Sequence, residues 1–480
     1  MLATVLASGM AFLDATVVNV ALPSIGEDLD ASLSGLQWTV NAYALTLAGL
    51  LLIGGSLGDH FGRRKVFVIG VAWFAAASLL CAIAPDINML IAARAIQGVG
   101  AALLTPGSLA LLEASFQKDD RGSAIGAWSG LAGITTAFGP LLGGWLVEAA
   151  TWRLIFLINL PLAAVVLWAS RAIPESRDPE AQGKPLDIAG AVFTAIGLAG
   201  LTYALTEGPQ AGWTDPVILA LALGGVLCLL AFVAVEMRSP HPMVPMSMFR
   251  SRNFSAANGL TFVVYGALGA AFFLLPIQLQ QVAGYTPIEA GAALIPMTVV
   301  LLLLSKRAGR LAQRIGPRLP MGLGPIVAAC GLLLLTRVGP GADYVTDVLP
   351  GVLVFALGLS ATVAPLNVTV LGSAGAARAG VASAVNNAVA RVAGLLAVAI
   401  IPVAAGITGD DYLVPESFDD GYRIGIVICA GLCFAGGALA LAVIRSPEKD
   451  APEFETPHNC PLNGPPPQVP AEPAAAAAAG

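Results

Sequence analysis

The chain has 480 residues, of which 57% are hydrophobic and only 11% charged, with a mean hydropathy of +0.80. Ordinary soluble domains carry about a quarter charged residues, so this composition excludes a soluble enzyme or binding module. The formal net charge of −6 excludes little; where the 24 basic residues fall along the chain carries more.

Apolar runs of roughly twenty residues, each enough to cross about 30 Å of hydrocarbon as a helix, recur along nearly the whole chain. Lipid offers no partner to backbone polar groups, so these runs must be helical. In order they predict spans over 1–22, 36–57, 66–84, 90–113, 122–147, 153–171, 187–205, 216–236, 253–281, 288–307, 319–337, 346–373, 379–407 and 421–445. The expected fold is an all-α membrane protein of fourteen transmembrane helices. The first run starts at Met1 with no basic leader and no small-residue cleavage site, and reads as a retained span rather than a signal peptide.

Lys and Arg collect in cytoplasmic loops. If residue 1 starts inside, nineteen of the 24 basic residues fall on the inner side, among them Arg63, Arg64, Lys65, Lys306, Arg307 and Arg310. Only Arg153, Arg337 and Arg423 fall outside, while Arg94 and Arg391 lie in or at the edge of spans. Both termini are then cytoplasmic, and the acidic stretch TGDDYLVPESFDD at 408–420 lies outside.

Five of the six cysteines lie in predicted spans, with no disulfide framework or metal-ligand spacing. Cys429 and Cys433 sit one helical turn apart, an arrangement better explained by small apolar packing than by a metal or redox pair. No metal site is expected.

The chain also repeats itself. GSLGDHFGRR at 55–64 aligns without gaps to GRLAQRIGPR at 309–318, and each copy follows the second span of a six-helix set. Two parallel halves with a substrate cavity between them are a recurrent transporter plan. The expected division is 1–171 as one six-helix bundle, 172–252 as a linker with two extra spans, and 253–445 as the second bundle. Residues 446–480 are Pro- and Ala-rich, a composition that cannot build a core, and are expected to form a disordered cytoplasmic tail.

Five stretches carry chemistry, in chain order. FLDATVVNVALP at 12–23 places Asp14 inside a membrane helix. IGGSLGDHFGRRKVFVIG at 53–70 gathers Asp59, Arg63, Arg64 and Lys65 between two apolar runs, with Gly55 and Gly62 beside them. Its basic cluster is a positive-inside anchor, an account that needs neither Asp59 nor the glycines. Glycines permit a tight turn, and Asp59 can pair with Arg63 or sit at the N-terminus of a facing helix. RAIQGVGAA at 94–102 aligns Arg94, Gln97 and Gly98; GAWSGLAGITTAFGPLLGGWL at 126–146 holds Gly126, Gly139, Pro140, Gly143 and Gly144; WRLIFLINLP enters the next span at 152–161.

In this order the five resemble the motifs of the major facilitator superfamily, specifically its fourteen-span drug:proton antiporter family. The likeness covers nearly everything except the tail. It implies two six-helix bundles plus two linker helices, and a latch between the halves built on Gly55, Asp59, Gly62, Arg63 and Arg64. It also implies an antiport helix through Gly126, Gly139, Pro140, Gly143 and Gly144. His60 stands where a base is usual, and Thr135 where a glycine is expected; the latter weakens an inference of strict antiport, because that helix is thought to control leak between the halves.

Asp14 is the sharpest chemical clue, since a carboxylate deep in a span costs roughly 2.5–3.5 kcal/mol on insertion scales and normally faces the bundle interior. Burial favours its protonated form and a cation such as Arg94 its ionised form, so a group between those pulls can take up and release a proton. The alternative is a structural carboxylate bonded to Asn19 or to backbone. Expected cavity residues are Asn19, Gln97, Tyr265, Phe272, Gln278, Asn387 and Arg391. In the stretch FVVYGALGAAFFLLPIQLQQVAGYTP at 262–287, Phe262, Phe273 and Gln281 add further aromatic and amide surface, suited to amphipathic, often cationic or aromatic compounds.

No Gly-rich loop followed by Lys-Ser/Thr is present, so a proton gradient rather than ATP or another cofactor is the expected energy source. The reading is proton-coupled export of hydrophobic or amphipathic drugs across the plasma (inner) membrane by a monomer with no nucleic-acid partner. A uniporter or proton symporter of a small metabolite would share the fold. A membrane enzyme or receptor would need a catalytic constellation or a large soluble domain, and neither is visible.

Overall fold

The computed structural model describes residues 1–116, 120, 128, 135, 138–177, 187–239, 242–374, 379–409 and 411–445. Among them all regular structure is helical, and twelve helices are long and apolar enough to cross a membrane. Met1–Arg445 forms one compact unit.

Helix α1 (Leu2–Leu29) turns into α2 (Leu33–Phe61), which Ser32 caps by accepting from the Gly35 amide at 3.3 Å. Gly62 alone separates α2 from α3 (Arg63–Ala82). Asp86 then caps α4 (Ile87–Ser115), accepting from the Met89 amide at 2.9 Å. Residues 138–149 form α5, followed by the short pieces α6 (Leu154–Leu157) and α7 (Asn159–Ser170). The span expected over 122–147 is thus described mainly in its second half, and that expected over 153–171 is a shorter apolar helix interrupted at Ile158.

Helices α8 (Ile188–Ala211) and α9 (Pro216–Arg238) make a hairpin. Beyond it lie α10 (Arg252–Ile277), continued by a π turn at Gln278–Val282, then α11 (Pro287–Ala292), α12 (Ile295–Ile315), α13 (Arg318–Leu335), α14 (Leu349–Ala374), α15 (Ala379–Ala404) and α16 (Pro415–Val443). Several helices outrun their apolar stretches. The first, expected to end near 22, continues to Leu29 because a helix satisfies its own backbone and need not stop where lipid does.

Burial separates central helices from peripheral ones: 67% of the apolar window is buried in α1 and in α10, against 11% in α9. A helix apolar on all sides is one that is buried by neighbours or faces lipid, and these helices show both outcomes. Helix α8 packs against both α2 and α15, so the hairpin touches each half. The internal repeat has a backbone counterpart. Its matched glycines, Gly62 and Gly316, end α2 and α12 with φ of 115° and 86°, a conformation that side-chain-bearing residues avoid.

The two halves bond to each other at the end of the bundle distal to Gly62. Gln280 Nε2 donates to the Val20 carbonyl at 2.9 Å and Gln37 Nε2 to the Val398 carbonyl at 2.9 Å. The Ile288 amide donates to Glu148 at 3.2 Å, and the Tyr412 hydroxyl to the Ala31 carbonyl. There α5 and α11 approach backbone to backbone, a Cβ on Gly144 overlapping the Pro287 carbonyl and one on Gly291 the Pro140 carbonyl.

Candidate functional site: a sealed ion pair behind a central cavity

Asp14 and Arg94 are almost wholly inaccessible, at 0% and 1% exposure. Two charges withdrawn from water are tolerated only when paired and hydrogen-bonded, and five helices supply the bonds. Arg94 Nη1 donates to Asp14 Oδ2 and, at 2.6 Å, to Gln97 Oε1. Gln97 Nε2 at 2.8 Å and Asn159 Nδ2 at 3.2 Å donate to Asp14 Oδ1, and both also donate to Ser78 Oγ. Arg94 Nε donates to the Thr39 carbonyl at 3.0 Å, and its guanidinium lies 4.4 Å from the centre of the Tyr43 ring. Gly98 makes this possible: a Cβ there would overlap the Tyr43 carbonyl, so α4 reaches α2 only through glycine.

Asn19 is not a partner of Asp14. Its Oδ1 is buried with no hydrogen-bond partner among the described residues, and Asn19 helps to line a cavity of about 410 Å³ between the halves. Phe12, Thr16, Asn41, Tyr43 and Arg94 line that cavity from one half, and Tyr265, Phe272, Asn387 and Arg391 from the other. Asp14 does not line it; Arg94 and Tyr43 stand between.

Of the expected cavity residues, Gln97 belongs instead to the Asp14 cluster, and Gln278 turns away. Gln278 Nε2 donates to the Val338 carbonyl at 2.8 Å and to Asp419 at 2.6 Å, because the π turn rotates it toward α16. Phe273 is core, Gln281 donates to Glu27 at 3.4 Å, and Phe262 lines a separate apolar cavity of about 510 Å³ among α2, the hairpin, α10 and α15.

At the α2–α3 turn, Asp59 pairs with Arg63 at 2.8 Å. The open N-terminus of α3 is capped by Glu175, from the start of the linker just after α7, which accepts from the Arg64 amide at 3.0 Å and the Lys65 amide at 3.2 Å. A Cβ on Gly62 would lie 2.8 Å from the Glu175 carboxyl. Gly55 rests against Pro106 of α4. Residues 375–378, just before α15, lie outside the described residues. On α5, Gly139 and Gly143 stand against Thr16 and Val17 of α1, and Gly144 and Pro140 against α11. Gly126 falls outside the described residues. Thr135, which replaces the expected glycine, stands beside α1 at Gly9.

The sequence model of the Major Facilitator Superfamily matches residues 4–398. The chain belongs to the major facilitator superfamily. It is 36% identical over 458 residues to the puromycin resistance protein pur8 of Streptomyces alboniger, covering 92% of this chain and 90% of that one. It is 38% identical over 407 residues to the methylenomycin A resistance protein of Bacillus subtilis, covering 84% and 86%. It is 33% identical over 398 residues to the tetracenomycin C resistance and export protein of Streptomyces glaucescens, covering 82% and 73%. Among solved structures, the POT family transporter PepTSo superposes with a TM-score of 0.66 at 15% identity, over 92% of this chain and 97% of that one. The xylose transporter XylE of E. coli does so at 0.62 and 16% identity, over 93% and 96%.

Membership of this transporter superfamily makes the chain a transporter rather than an enzyme. Reading by motif misses four members of its buried cluster: Thr39, Tyr43, Ser78 and Asn159. Asn159 carried a signal, being a lone amide in the apolar stretch FLINLP, whereas Thr39 contributes only its carbonyl and leaves none.

Proposed function

We propose that this member of the superfamily exports hydrophobic or amphipathic drugs or antibiotics across the plasma (inner) membrane in exchange for protons, by alternating access. The observation that carries the reading is the Asp14–Arg94 pair, sealed directly behind the wall of the cavity between the halves. The names of the relatives, which speak of resistance and export, support the direction. When Asp14 accepts a proton, Arg94 loses its anionic partner; when the proton leaves, the pair re-forms and draws α1 and α4 together. Both helices border the cavity, so proton occupancy and cavity shape are coupled through Arg94. The energy source is the proton gradient, and no cofactor takes part. The protein works as a monomer of fourteen spans with both termini in the cytoplasm, and Asp59 and Arg63 act as a latch biasing the outward-open state.

The test is Asp14→Asn in inverted membrane vesicles. The substitution keeps size and removes titration, so substrate-induced proton release and gradient-driven uptake into the lumen should both be lost. Binding of a neutral substrate in detergent should change less than threefold, about 0.7 kcal/mol. Gradient-driven transport that survives with an unchanged pH profile makes Asp14 structural.

A further inference from the structure

The central cavity holds an unbalanced charge. Among the described residues its lining contains two arginines and no aspartate or glutamate. Arg94 is paired with Asp14, and its Nη1 and Nε also donate to Gln97 and the Thr39 carbonyl, so it presents no unbalanced charge. Arg391 differs. Its guanidinium carbon lies 5.8 Å from the centre of the Phe12 ring on the opposite half, and among the described residues no carboxylate lies within 4.0 Å of it. A guanidinium at mid-span depth is held at a cost that an anion relieves, and an aromatic face stabilises it only in part.

Beside it are polar atoms with nothing to bond. Asn41 is 0% exposed and is among the residues lining the cavity, yet among the described residues neither its Nδ2 nor its Oδ1 has a hydrogen-bond partner, and Asn19 Oδ1 has none either. Buried amide atoms left unpaired are rare because each forfeits its hydration. Asn41 and Asn19, which carry these unpaired amide atoms, and the Arg391 cation line one space walled by Phe12, Tyr43, Tyr265 and Phe272.

We infer that the cavity selects substrates carrying an anionic group, a carboxylate, phenolate or enolate on an aromatic or apolar body, with Arg391 binding the anion and Asn41 orienting it. This rests on the export reading for its physiological meaning and narrows the substrate class, reversing the preference for cations expected from the aromatic residues alone. A cationic compound entering the cavity meets the Arg391 charge with no acid to offset it. A guanidinium also offers a planar fork of donors that a carboxylate matches bidentately, which an ammonium cannot reproduce.

The experiment measures equilibrium binding to the purified full chain in detergent at pH 7.5 with three probes of one shape: 1-naphthylacetate, 1-naphthylacetamide and (1-naphthylmethyl)trimethylammonium. The acid should bind roughly tenfold or more tightly than the amide, and the ammonium weakest, since one lost charge-assisted hydrogen bond is worth about that factor. Arg391→Gln should bring acid and amide to equal affinity while amide binding persists, which reports an intact fold. Arg391→Lys should keep the sign of the preference at reduced size, and Asn41→Leu should weaken acid and amide alike. Tighter binding of the ammonium, absence of acid binding, or an acid preference that survives Arg391→Gln overturns the inference. Binding needs no gradient, so these outcomes are independent of whether Asp14→Asn abolishes export.

Discussion

At the scale of single residues, the pairing of Asp14 with Arg94 depends on guanidinium geometry as much as on charge. One side chain donates to Asp14, to Gln97 and to the Thr39 carbonyl while stacking on Tyr43. A lysine ammonium has the charge but neither the planar fork nor the stacking face. Arg94→Lys should therefore behave nearly as badly as Arg94→Ala, lowering substrate-induced proton release in vesicles by roughly tenfold or more; breaking a buried pair costs about 3–5 kcal/mol. Near-normal release would mean that charge alone suffices. Asn159→Leu is milder, since it deletes one of the donors to Asp14 and a bond to Ser78. It should cost about 1–3 kcal/mol, read as a lowered midpoint of thermal unfolding in detergent with export reduced but present.

At the scale of helices, close approach through glycine sets what can move. Helices α5 and α11 meet where Gly144 and Gly291 each leave room for the other's backbone carbonyl neighbours. Adding a methyl group to such a contact costs roughly 1–3 kcal/mol, enough to shift a two-state equilibrium by about 5- to 150-fold. If the distal end is the outer gate, Gly144→Ala should prop it open. A cysteine placed at Asn19, in a background without the native cysteines, should then react faster with a membrane-impermeant thiol reagent added from outside. Unchanged labelling would show that the contact is not part of the gate. The α2–α3 turn has its own device. Glu175 caps α3 through two amides, and negative charge at a helix N-terminus is worth about 0.3–1 kcal/mol. Glu175→Ala should loosen the turn that presents Asp59, seen as faster backbone amide exchange over Gly62–Phe67.

At the scale of the whole molecule, the basic residues divide by side. The helix ends that adjoin Gly62 and Gly316 carry Arg63, Arg64, Lys65, Arg314 and Arg318, while the distal end carries acidic caps such as Asp86, Asp215 and Asp343. Such asymmetry orients a membrane protein. Reporter fusions at either terminus should be active only in the cytoplasm; a tail that reports outside would overturn the proposed fourteen-span topology. The distal bonds from Gln280, Gln37, Ile288 and Tyr412 join the halves across that same end. A cycle that opens it must break all four.

The sequence alone determined that this chain is a bundle of membrane helices, because lipid leaves the backbone no other way to satisfy its hydrogen bonds. It also marked Asp14 and Arg94, since charge inside a span is too costly to be incidental. Which side chains meet was decided only by the tertiary structure. Asp14 bonds Gln97 and Asn159 rather than Asn19, Gln278 turns to Asp419 rather than to the cavity, and Arg391 lines the cavity with no carboxylate partner among the described residues. The reason is physical. In water an amphipathic stripe announces the buried face of a helix, but in a bilayer the lipid and the protein interior are equally apolar, so the rotation of each helix is set by packing between residues far apart in the chain.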